Sequence, residues 1–323
     1  MRHEIQSSSF HDDLAIETQR YERMGTIMET KKVLLDTDIG SDIDDAVCLA
    51  YLLQQPACEL VGITTVTGEP VKRAMLASCF CQAAGKGDIP IYPGCATPML
   101  GNSIQPRAPQ EAVLDSYAHQ TQFPLHQHIQ FMIDTIRANP GEISLLAIGP
   151  MTNVGLLFAA DPEIPSLLKE LVLMCGVFTN VQPRTGPREW NAYGDPYATA
   201  VVYNAPVAVH RSIGLDVTTQ VRLPIEEARQ RLQGGLLDIV RAMAEVWFRS
   251  RDYIIFHDPL AATTLFNDAV CRFERGEVEV ELLSERAKGM THWKKDMENG
   301  PHEVALRVDR DVFFQEYFGQ FRG

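Results

Sequence analysis

From residue 31 onward, apolar runs of strand length alternate with longer segments in which apolar residues recur every three or four positions. The runs include VLLD at 33–36, LVGITTV at 60–66 and ISLLAIG at 143–149. The longer segments include DDAVCLAYLLQQ at 44–55 and VKRAMLASCFCQAAG at 71–85. This alternation predicts an α/β, Rossmann-like fold with a mostly parallel central sheet and helices on both faces. In such a sheet, ligands bind at the carboxyl ends of the strands.

The pattern continues to the C-terminus without a repeat, a low-complexity linker or a break in composition. We therefore expect one domain over residues 31–323, preceded by a polar N-terminal tail over residues 1–30. Residues 222–260 have mostly helical spacing and predict a helix-rich region beside the ligand-binding edge. Near it, SIGLDV at 212–217 predicts a strand, and EVALRV at 303–308 predicts the final one.

Net charge and composition argue against several classes of protein. The chain has 323 residues and a formal net charge of −13, which disfavours binding to nucleic acid or to an anionic membrane. No apolar run reaches the length of about 18 residues that a membrane span needs, and the first 30 residues lack the apolar segment of a secretory signal. Seven cysteines without a CxxC pair are typical of free thiols in a reducing compartment. We therefore expect a cytoplasmic protein.

Five aspartates lie within the ten positions of DTDIGSDIDD, at Asp36, Asp38, Asp42, Asp44 and Asp45. The predicted strand ends at the first of them and the predicted helix begins at the last two. A helix N-terminus stabilises an acid by about 0.3–1 kcal/mol, whereas two unit charges about 4 Å apart repel by about 4 kcal/mol at an effective dielectric constant near 20. The aspartates therefore either diverge into water or surround a cation, and oxygen ligands favour Ca²⁺ or Mg²⁺.

Residue types alone leave three interpretations of this cluster open. The acids could hold a cation, or they could begin a helix and otherwise face solvent. An EF-hand does not fit, because the flanking elements are not both helices and the loop lacks the required Gly and Glu. The remaining open interpretation is a haloacid-dehalogenase-like phosphohydrolase, because Asp36 and Asp38 have the two-residue spacing of the nucleophile and the acid/base in that family.

The stretch DTDIGSDIDDAVCLAYLL resembles the N-terminal signature of the nucleoside hydrolases, Asp-x-Asp-x-Gly-x-Asp-Asp-Ala. Further segments resemble motifs of the same family in the same order, namely GITTVTGEP, LLAIGPMTN, LVLMCG with REWNAYGDPYA, and FHDPLAA. The resemblance extends over about residues 31–320. It implies a calcium-dependent enzyme of the inosine-uridine preferring type that hydrolyses the N-glycosidic bond of ribonucleosides to free base and ribose.

The resemblance also implies roles for individual residues. Asp38 matches a metal ligand that is also the general base for a metal-bound water, and His257 matches a histidine beside the leaving base. His257 is a candidate general acid for that base, because the unperturbed pKa of histidine lies near neutrality. The other implied metal ligands are Asp45, Asp258 and the backbone carbonyl of Ile148. The implied ribose-binding residues are Asp44, Asn180, Glu189 and Asn191. A Ca²⁺ cofactor, a nucleoside substrate, a role in nucleoside salvage and a homodimer or homotetramer follow from the same resemblance.

Three features depart from the family pattern. Ser41 and Asp42 look like an insertion in the signature, which leaves Asp42 without an implied role. Glu69 stands where the family often has Asn near the metal, and the segment between Met174 and Glu189 is longer than usual. An Asp36/Asp38 phosphohydrolase and a non-catalytic ribose- or calcium-binding protein therefore stay as alternatives, and the sequence does not indicate the preferred base.

Overall fold

A computed structural model describes residues 30–179 and 186–321. The predicted N-terminal tail, apart from Thr30, lies outside the described residues. In chain order, the strands are β1 (Lys31–Thr37), β2 (Cys58–Thr65), β3 (Ile91–Pro93), β4 (Ile143–Ala147), β5 (Glu170–Met174), β6 (His210–Ile213), β7 (Arg222–Pro224), β8 (Tyr253–Ile255), β9 (Cys271–Val280), β10 (Thr291–Lys295) and β11 (His302–Val308). Strands β7 and β8 form a separate antiparallel pair.

The other nine strands form one sheet in the order β3-β2-β1-β4-β5-β6-β11-β9-β10. From β3 to β11 all neighbours are parallel, whereas β9 and β10 join the sheet in antiparallel pairs. The chain lays down β1, β2 and β3 in one direction and then returns to place β4 on the other side of β1. This is the doubly wound order of a Rossmann fold, in which ligands bind where the direction reverses. The switch point lies between the carboxyl ends of β1 and β4.

The helices cover both faces of the sheet. They are α1 (Asp44–Gln54), α2 (Pro70–Ala83), a 3₁₀ helix (Pro109–Ser116), α3 (His128–Ala138), α4 (Thr152–Ala160), α5 (Ile164–Leu167), α6 (Trp190–Gly194), α7 (Pro196–Tyr203), α8 (Leu215–Thr218), α9 (Ile225–Arg231), α10 (Leu236–Trp247), α11 (His257–Thr263) and α12 (Arg310–Gly319). Successive side chains of a strand point to opposite faces. Accordingly, Val33 and Leu35 pack in one core cluster with α1 and α2, and Leu34 packs in a second cluster with α3, α4 and α7. The predicted fold class is confirmed.

The local predictions differ in outcome. The strand EVALRV is confirmed as part of β11. The strand predicted over residues 212–217 is wrong beyond Ile213, because the backbone turns at Gly214 into α8. There the Asp216 carboxylate accepts hydrogen bonds from the backbone amides of Phe178 and Thr179, each 2.8 Å long. This places Asp216 against the loop after β5 instead of in an extended strand.

Residues 222–260 contain α9, α10 and the beginning of α11, as their spacing predicts, together with the short pair β7–β8. Within residues 30–179 and 186–321, none of the helices combines the length and the apolar character that crossing a membrane requires.

Candidate active site

The aspartate cluster lies at the switch point of the sheet. Strand β1 ends at Thr37 and Asp38 follows it directly, while Ile148 follows the end of β4. Both residues line a cavity of about 450 Å³. A cavity at this place is where a doubly wound sheet is expected to bind its ligand.

Acidic groups dominate the lining of this cavity. Its acids are Asp38, Asp42, Asp44, Asp45, Glu189 and Asp258, and its other lining residues are Ser41, Gln105, Ile148, Met174, Arg188, Trp190, Asn191, Leu215, Trp247, Arg251 and His257. All of these acids except Asp42 are buried. A buried carboxylate needs hydrogen bonds or a counter-charge to stay ionised.

Three of the acids are close enough to share one ion. Asp44, Asp45 and Asp258 each offer a carboxylate oxygen, and these atoms lie within 4.8 Å of one another. Burial, reinforced by the negative charge of neighbouring aspartates, raises the pKa of each of these carboxyls well above its usual value. Three convergent buried carboxyls form an all-oxygen donor set, which suits a hard divalent cation. The trio includes Asp44, and Asp38 lies beside it in the same cavity.

The turn between β1 and α1 holds Asp45 in place. Its Oδ1 accepts a hydrogen bond of 2.5 Å from the Thr37 hydroxyl and one of 3.1 Å from the Asp38 amide. The backbone amide of Ile39 donates to the same Thr37 hydroxyl at 3.1 Å. One carboxylate oxygen of Asp45 therefore closes the turn and links the loop after β1 to the first turn of α1.

Asp38 is held by a side chain from a distant loop and by a close backbone contact. Its Oδ2 accepts a hydrogen bond of 2.9 Å from the side-chain amide of Gln105. Burial raises the pKa of Asp38, while the positive charge of Arg73 and the hydrogen bond from Gln105 oppose that rise. A Cβ at Gly149 would lie 2.9 Å from Oδ1 of Asp38 and 2.7 Å from Cγ1 of Val66. The loop after β4 can therefore approach Asp38 only with a glycine at this position.

Glu189 and Asn191 anchor α6 at the end of the sheet. The Glu189 carboxylate accepts hydrogen bonds from the backbone amides of Asn191, at 2.7 Å, and of Ala192, at 2.9 Å. Burial raises the pKa of Glu189 to about 7. The side-chain amide of Asn191 donates to the carbonyls of Ile148, at 2.8 Å, and of Met174, at 3.0 Å. The Ile148 carbonyl, a predicted metal ligand, thus already accepts one hydrogen bond.

His257 is the first residue of α11 and is half-buried. Its Nδ1 lies 2.7 Å from the Thr218 hydroxyl. Burial lowers the pKa of His257 to about 4, so the imidazole is neutral near pH 7. When Thr218 donates to Nδ1, the ring proton is on Nε2. A neutral imidazole of this kind can donate a hydrogen bond but does not carry the extra proton of an imidazolium.

The structure brings most of the predicted site residues together. Those that line the one cavity are Asp38, Asp44, Asp45, Ile148, Glu189, Asn191, His257 and Asp258. Asn180, the remaining predicted ribose-binding residue, lies outside the described residues. Asp42, for which the sequence implied no role, also lines the cavity, and its Oδ1 accepts the amide hydrogen of Ile43 at 2.6 Å.

Two other acids of the predicted motifs do not line the cavity. Asp36 is fully buried, and its Oδ1 accepts hydrogen bonds from Thr64, at 2.5 Å, and from Asn153, at 2.7 Å. It therefore joins the neighbouring ends of β1, β2 and α4, as expected for a residue that anchors the strand end. Glu69 accepts hydrogen bonds from Lys72, at 2.8 Å, and from the amide of Ala108, at 3.0 Å. Its carboxylate binds the loop beyond β3.

Sequence motifs did not indicate Gln105 or Arg251, and they implied no role for Trp190 although it lies in REWNAYGDPYA; all three residues also line the cavity. Gln105 belongs to a proline-containing loop between β3 and the 3₁₀ helix, far from any motif. Trp190 lies between Glu189 and Asn191, and this adjacency was the one available signal. Only the folded chain shows that a single side chain, that of Gln105, contacts both Asp38 and Trp190.

The chain resembles known proteins both in its sequence and in its fold. The profile of the family described as inosine-uridine preferring nucleoside hydrolase matches residues 33–315. A probable uridine nucleosidase 1 of Oryza sativa subsp. japonica is 30% identical over 280 residues, covering 77% of this chain and 81% of that protein. The inosine-uridine preferring nucleoside hydrolase of Leishmania major is 29% identical over 305 residues, covering 88% of this chain and 95% of that protein.

Solved structures have the same fold. A purine-preferring ribonucleoside hydrolase from Gardnerella vaginalis superimposes with a TM-score of 0.76 at 23% identity, covering 90% of this chain and 98% of that protein. The names of these similar proteins mention uridine, inosine and purines. They therefore agree on the kind of bond and differ on the base.

Proposed function

We propose, because the chain belongs to the inosine-uridine preferring nucleoside hydrolase family, that Asp38 is the general base of its reaction. As a member of this family, the protein is an enzyme that hydrolyses the N-glycosidic bond of ribonucleosides to free base and ribose. The observation that carries the proposal is the position of Asp38, which lines one cavity with the acidic trio at the switch point of the sheet. A base at this point can take a proton from the water that attacks the ribose.

Acidic groups around the sugar suit this reaction. Departure of the base leaves positive charge on the ribose in the transition state, and nearby carboxylates stabilise that charge more than they stabilise the substrate. We assign ribose binding to Asp44, Glu189 and Asn191. Support for this assignment comes from their burial and from their shared cavity with Asp38. The backbone hydrogen bonds of Glu189 fix its position before substrate arrives.

We assign the binding of a divalent cation to Asp38, Asp45, Asp258 and the Ile148 carbonyl, with Asp44 close enough to take part. When bound, such a cation supplies a Lewis acid that makes a nearby water more acidic and holds vicinal hydroxyls. We propose Ca²⁺, because it accepts about six to eight oxygen ligands, whereas Mg²⁺ usually keeps several of its waters. The convergence of several protein carboxyls favours the ion with more ligands.

We propose that His257 lies beside the leaving base and donates a hydrogen bond to it from Nε2. The low pKa of this half-buried imidazole, about 4, disfavours transfer of a full proton from an imidazolium at neutral pH. The hydroxyl of Thr218 at Nδ1 is compatible with the required tautomer, in which Thr218 donates to Nδ1 and the ring proton is on Nε2. His257 would therefore orient the base and stabilise negative charge that develops on it.

The experiment is an assay of ribose release from purine and pyrimidine nucleosides by the purified protein, with and without a chelator. We expect chelator-sensitive release, and we expect Asp38→Asn to lower kcat by about 10²–10⁴, the usual contribution of a general base. The exposed Asp115→Asn is the matched control for folding and charge. Turnover of Asp38→Asn within about threefold of the wild type would remove Asp38 from the base role.

We also propose that the protein is a cytoplasmic homodimer or homotetramer that acts in nucleoside salvage, with residues 31–323 as one domain. All seven cysteines are free thiols, and six of them are buried, which supports a reducing compartment. Family membership supports the oligomer. Light scattering coupled to size-exclusion chromatography measures the mass directly, and a monomeric mass at working concentration would contradict this assignment.

A further inference from the structure

A single amide side chain connects Asp38 to Trp190. The Nε2 of Gln105 donates to Oδ2 of Asp38 at 2.9 Å, and its Oε1 accepts from the indole Nε1 of Trp190. An ionised carboxylate can only accept a hydrogen bond, and an indole N–H can only donate one. The two partners therefore admit only one orientation of the Gln105 amide.

A buried arginine fixes the backbone that carries Gln105. The guanidinium of Arg73 is fully buried and donates to the carbonyls of Gln105, at 3.4 Å, and of Arg107, at 3.2 Å. On its other side it donates to the carbonyls of Asp38 and of Ile39, the latter at 3.1 Å. One guanidinium thus ties the loop of Gln105 to the segment that carries the base.

The turn after β2 holds the same loop from a second direction. Gly68 has a φ of 60°, and a Cβ there would lie 2.4 Å from the carbonyl oxygen of Gln105. The hydroxyls of Thr67 and Ser103 lie 2.9 Å apart, within hydrogen-bond distance, and the Ala108 amide donates to Glu69 at 3.0 Å. With its backbone held on both sides, Gln105 has little freedom to follow a displaced Asp38.

Trp190 is the exposed end of this connection. Its side chain is 51% exposed, yet it lines the cavity. Its backbone begins α6 between Glu189 and Asn191, two residues that we assign to ribose binding. An exposed indole has few packing contacts to hold it, so the hydrogen bond to Gln105 sets its position at the cavity edge.

We propose that Gln105 is a positioning residue that orients Asp38 and couples that orientation to the placement of Trp190 at the cavity edge. This inference rests on the proposed role of Asp38 as base. A nucleoside that displaces or seats Trp190 changes the hydrogen bond to Oε1 of Gln105. A change at Oε1 alters the hydrogen bond from Nε2 of the same amide to Asp38. Occupancy of the cavity edge therefore changes the orientation of the base.

The kinetic experiment uses Gln105→Met, which keeps the length of the side chain and removes both hydrogen bonds. We expect kcat to fall by about 10- to 100-fold, because small misplacements of a reacting group have effects of this size, while KM changes by less than about threefold. The exposed Gln122→Met is the matched control and should behave as the wild type. A Gln105→Met variant with wild-type kcat, or with a change in KM alone, would overturn the proposal.

A double-mutant cycle with Trp190→Phe tests the coupling. Phenylalanine keeps an aromatic ring and lacks the indole N–H. If the two residues act through one hydrogen-bonded connection, the double variant should have nearly the kcat of Gln105→Met alone. Losses that multiply independently would show that Trp190 and Gln105 act separately.

A fluorescence measurement tests the contact without any turnover. The chain has three tryptophans, Trp190, Trp247 and Trp293, so replacing the last two with Phe leaves Trp190 as the only reporter. Adding Gln105→Met should lower its anisotropy and shift its emission to the red, and unchanged spectra would overturn the contact. A wild-type protein that hydrolyses no ribonucleoside would instead refute the proposed function, and the fluorescence result would then still decide the link between Gln105 and Trp190.

Discussion

Burial makes the protonation of each acid in the cavity depend on its neighbours. Asp44, Asp45 and Asp258 are each at most 5% exposed, and the negative charge of neighbouring aspartates adds to the effect of burial on their pKa. Ionised carboxylates that are buried away from water and have no positive counter-charge destabilise the folded state. A bound cation would reverse this effect, because it stabilises the ionised form of every carboxyl that it contacts.

Asp45→Asn should separate cation binding from folding. The substitution removes one of three convergent negative charges and keeps the size of the side chain and the hydrogen bond from Thr37. We expect Ca²⁺ affinity to fall by at least about 100-fold, the upper range for residues that only support a metal ligand. Isothermal titration calorimetry measures the affinity directly.

In the presence of a chelator, Asp45→Asn should melt at the wild-type temperature or above it, because repulsion within the trio is reduced. Unchanged Ca²⁺ affinity would exclude Asp45 as a ligand. A large loss of stability in chelator would instead show that Asp45 mainly supports the turn after β1.

At the scale of elements, the close approach of chain segments at the switch point between β1 and β4 requires a glycine, Gly149, in the loop after β4. Gly149→Ala places a methyl group 2.9 Å from Oδ1 of Asp38 and 2.7 Å from Val66. We expect kcat to fall at least about tenfold, since the loop or the carboxylate must move by several tenths of an ångström. Steady-state ribose release measures this effect.

Gly87→Ala is the matched control for that substitution, because its nearest neighbours, in the Gln82 side chain, are at 3.7 Å or more. Wild-type kcat in Gly149→Ala would mean that Asp38 tolerates the displacement and that its exact placement does not limit the reaction.

Strand β6 carries a buried histidine that should make stability depend on pH. His210 is 1% exposed and packs 4.8 Å from the ring of His302. Burial, with a smaller contribution from His302, lowers its pKa to about 3. The unfolded chain binds a proton at this residue below about pH 6.5, whereas the folded chain does not until about pH 3. Stability therefore decreases as pH falls through this window, by up to about 1.4 kcal/mol per pH unit.

His210→Phe should remove this contribution. The free energy of unfolding can be measured by urea titrations between about pH 4 and pH 6. Its slope against pH should then be smaller by up to about 1.4 kcal/mol per pH unit, the value for one bound proton. The same substitution at the exposed His292 on β10 is the matched control and should keep the wild-type slope. Equal slopes in wild type and His210→Phe would contradict the assignment.

Elements with regular spacing could be predicted from the sequence, and elements set by tertiary contacts could not. The apolar runs that became β1, β2 and β4 are largely buried on both faces, so their composition alone identifies them. SIGLDV has a similar composition, yet its second half forms α8 because Asp216 bonds the loop after β5. Strand β9 is an exception, because its alternation of charged and apolar residues is the regular spacing of a half-buried strand, yet it was not among the predicted strands.

The same distinction, between residues in a sequence pattern and residues placed by tertiary contacts, applies to the site. Asp38, Asp45 and Asp258 lie in segments that resemble family motifs, so the sequence could indicate them. Gln105 reaches Asp38 only through a loop that Arg73 holds, and a glutamine in a loop has no distinctive pattern. Contacts of this kind depend on the folded arrangement of distant segments, so a single sequence does not reveal them.

For the whole molecule, binding of a cation at the switch point should raise global stability. The trio joins α1, which follows β1, to α11, which lies more than 200 residues later in the chain. At a free Ca²⁺ concentration of about 100 times Kd, stability should increase by about 2.7 kcal/mol, which corresponds to a rise of a few degrees in Tm. Differential scanning calorimetry in Ca²⁺ and in chelator measures the change.

Asp45→Asn should show no such response to Ca²⁺, and a Mg²⁺ series compares the two ions in the same assay. Identical melting of the wild type in Ca²⁺, Mg²⁺ and chelator would contradict cation binding at this site. That outcome would leave the acids to be neutralised by protons alone.

Both margins of the nine-stranded sheet are poor templates for another strand. At one margin, β3 has only three residues and ends in Pro93, which has no backbone N–H to donate. At the other, β10 ends in Lys294 and Lys295, both exposed. Short strands, proline and lysine at a margin oppose addition of strands from other molecules. We therefore expect any contact between copies of this chain to use helices and loops, and concentrated solutions to resist fibrous polymerisation.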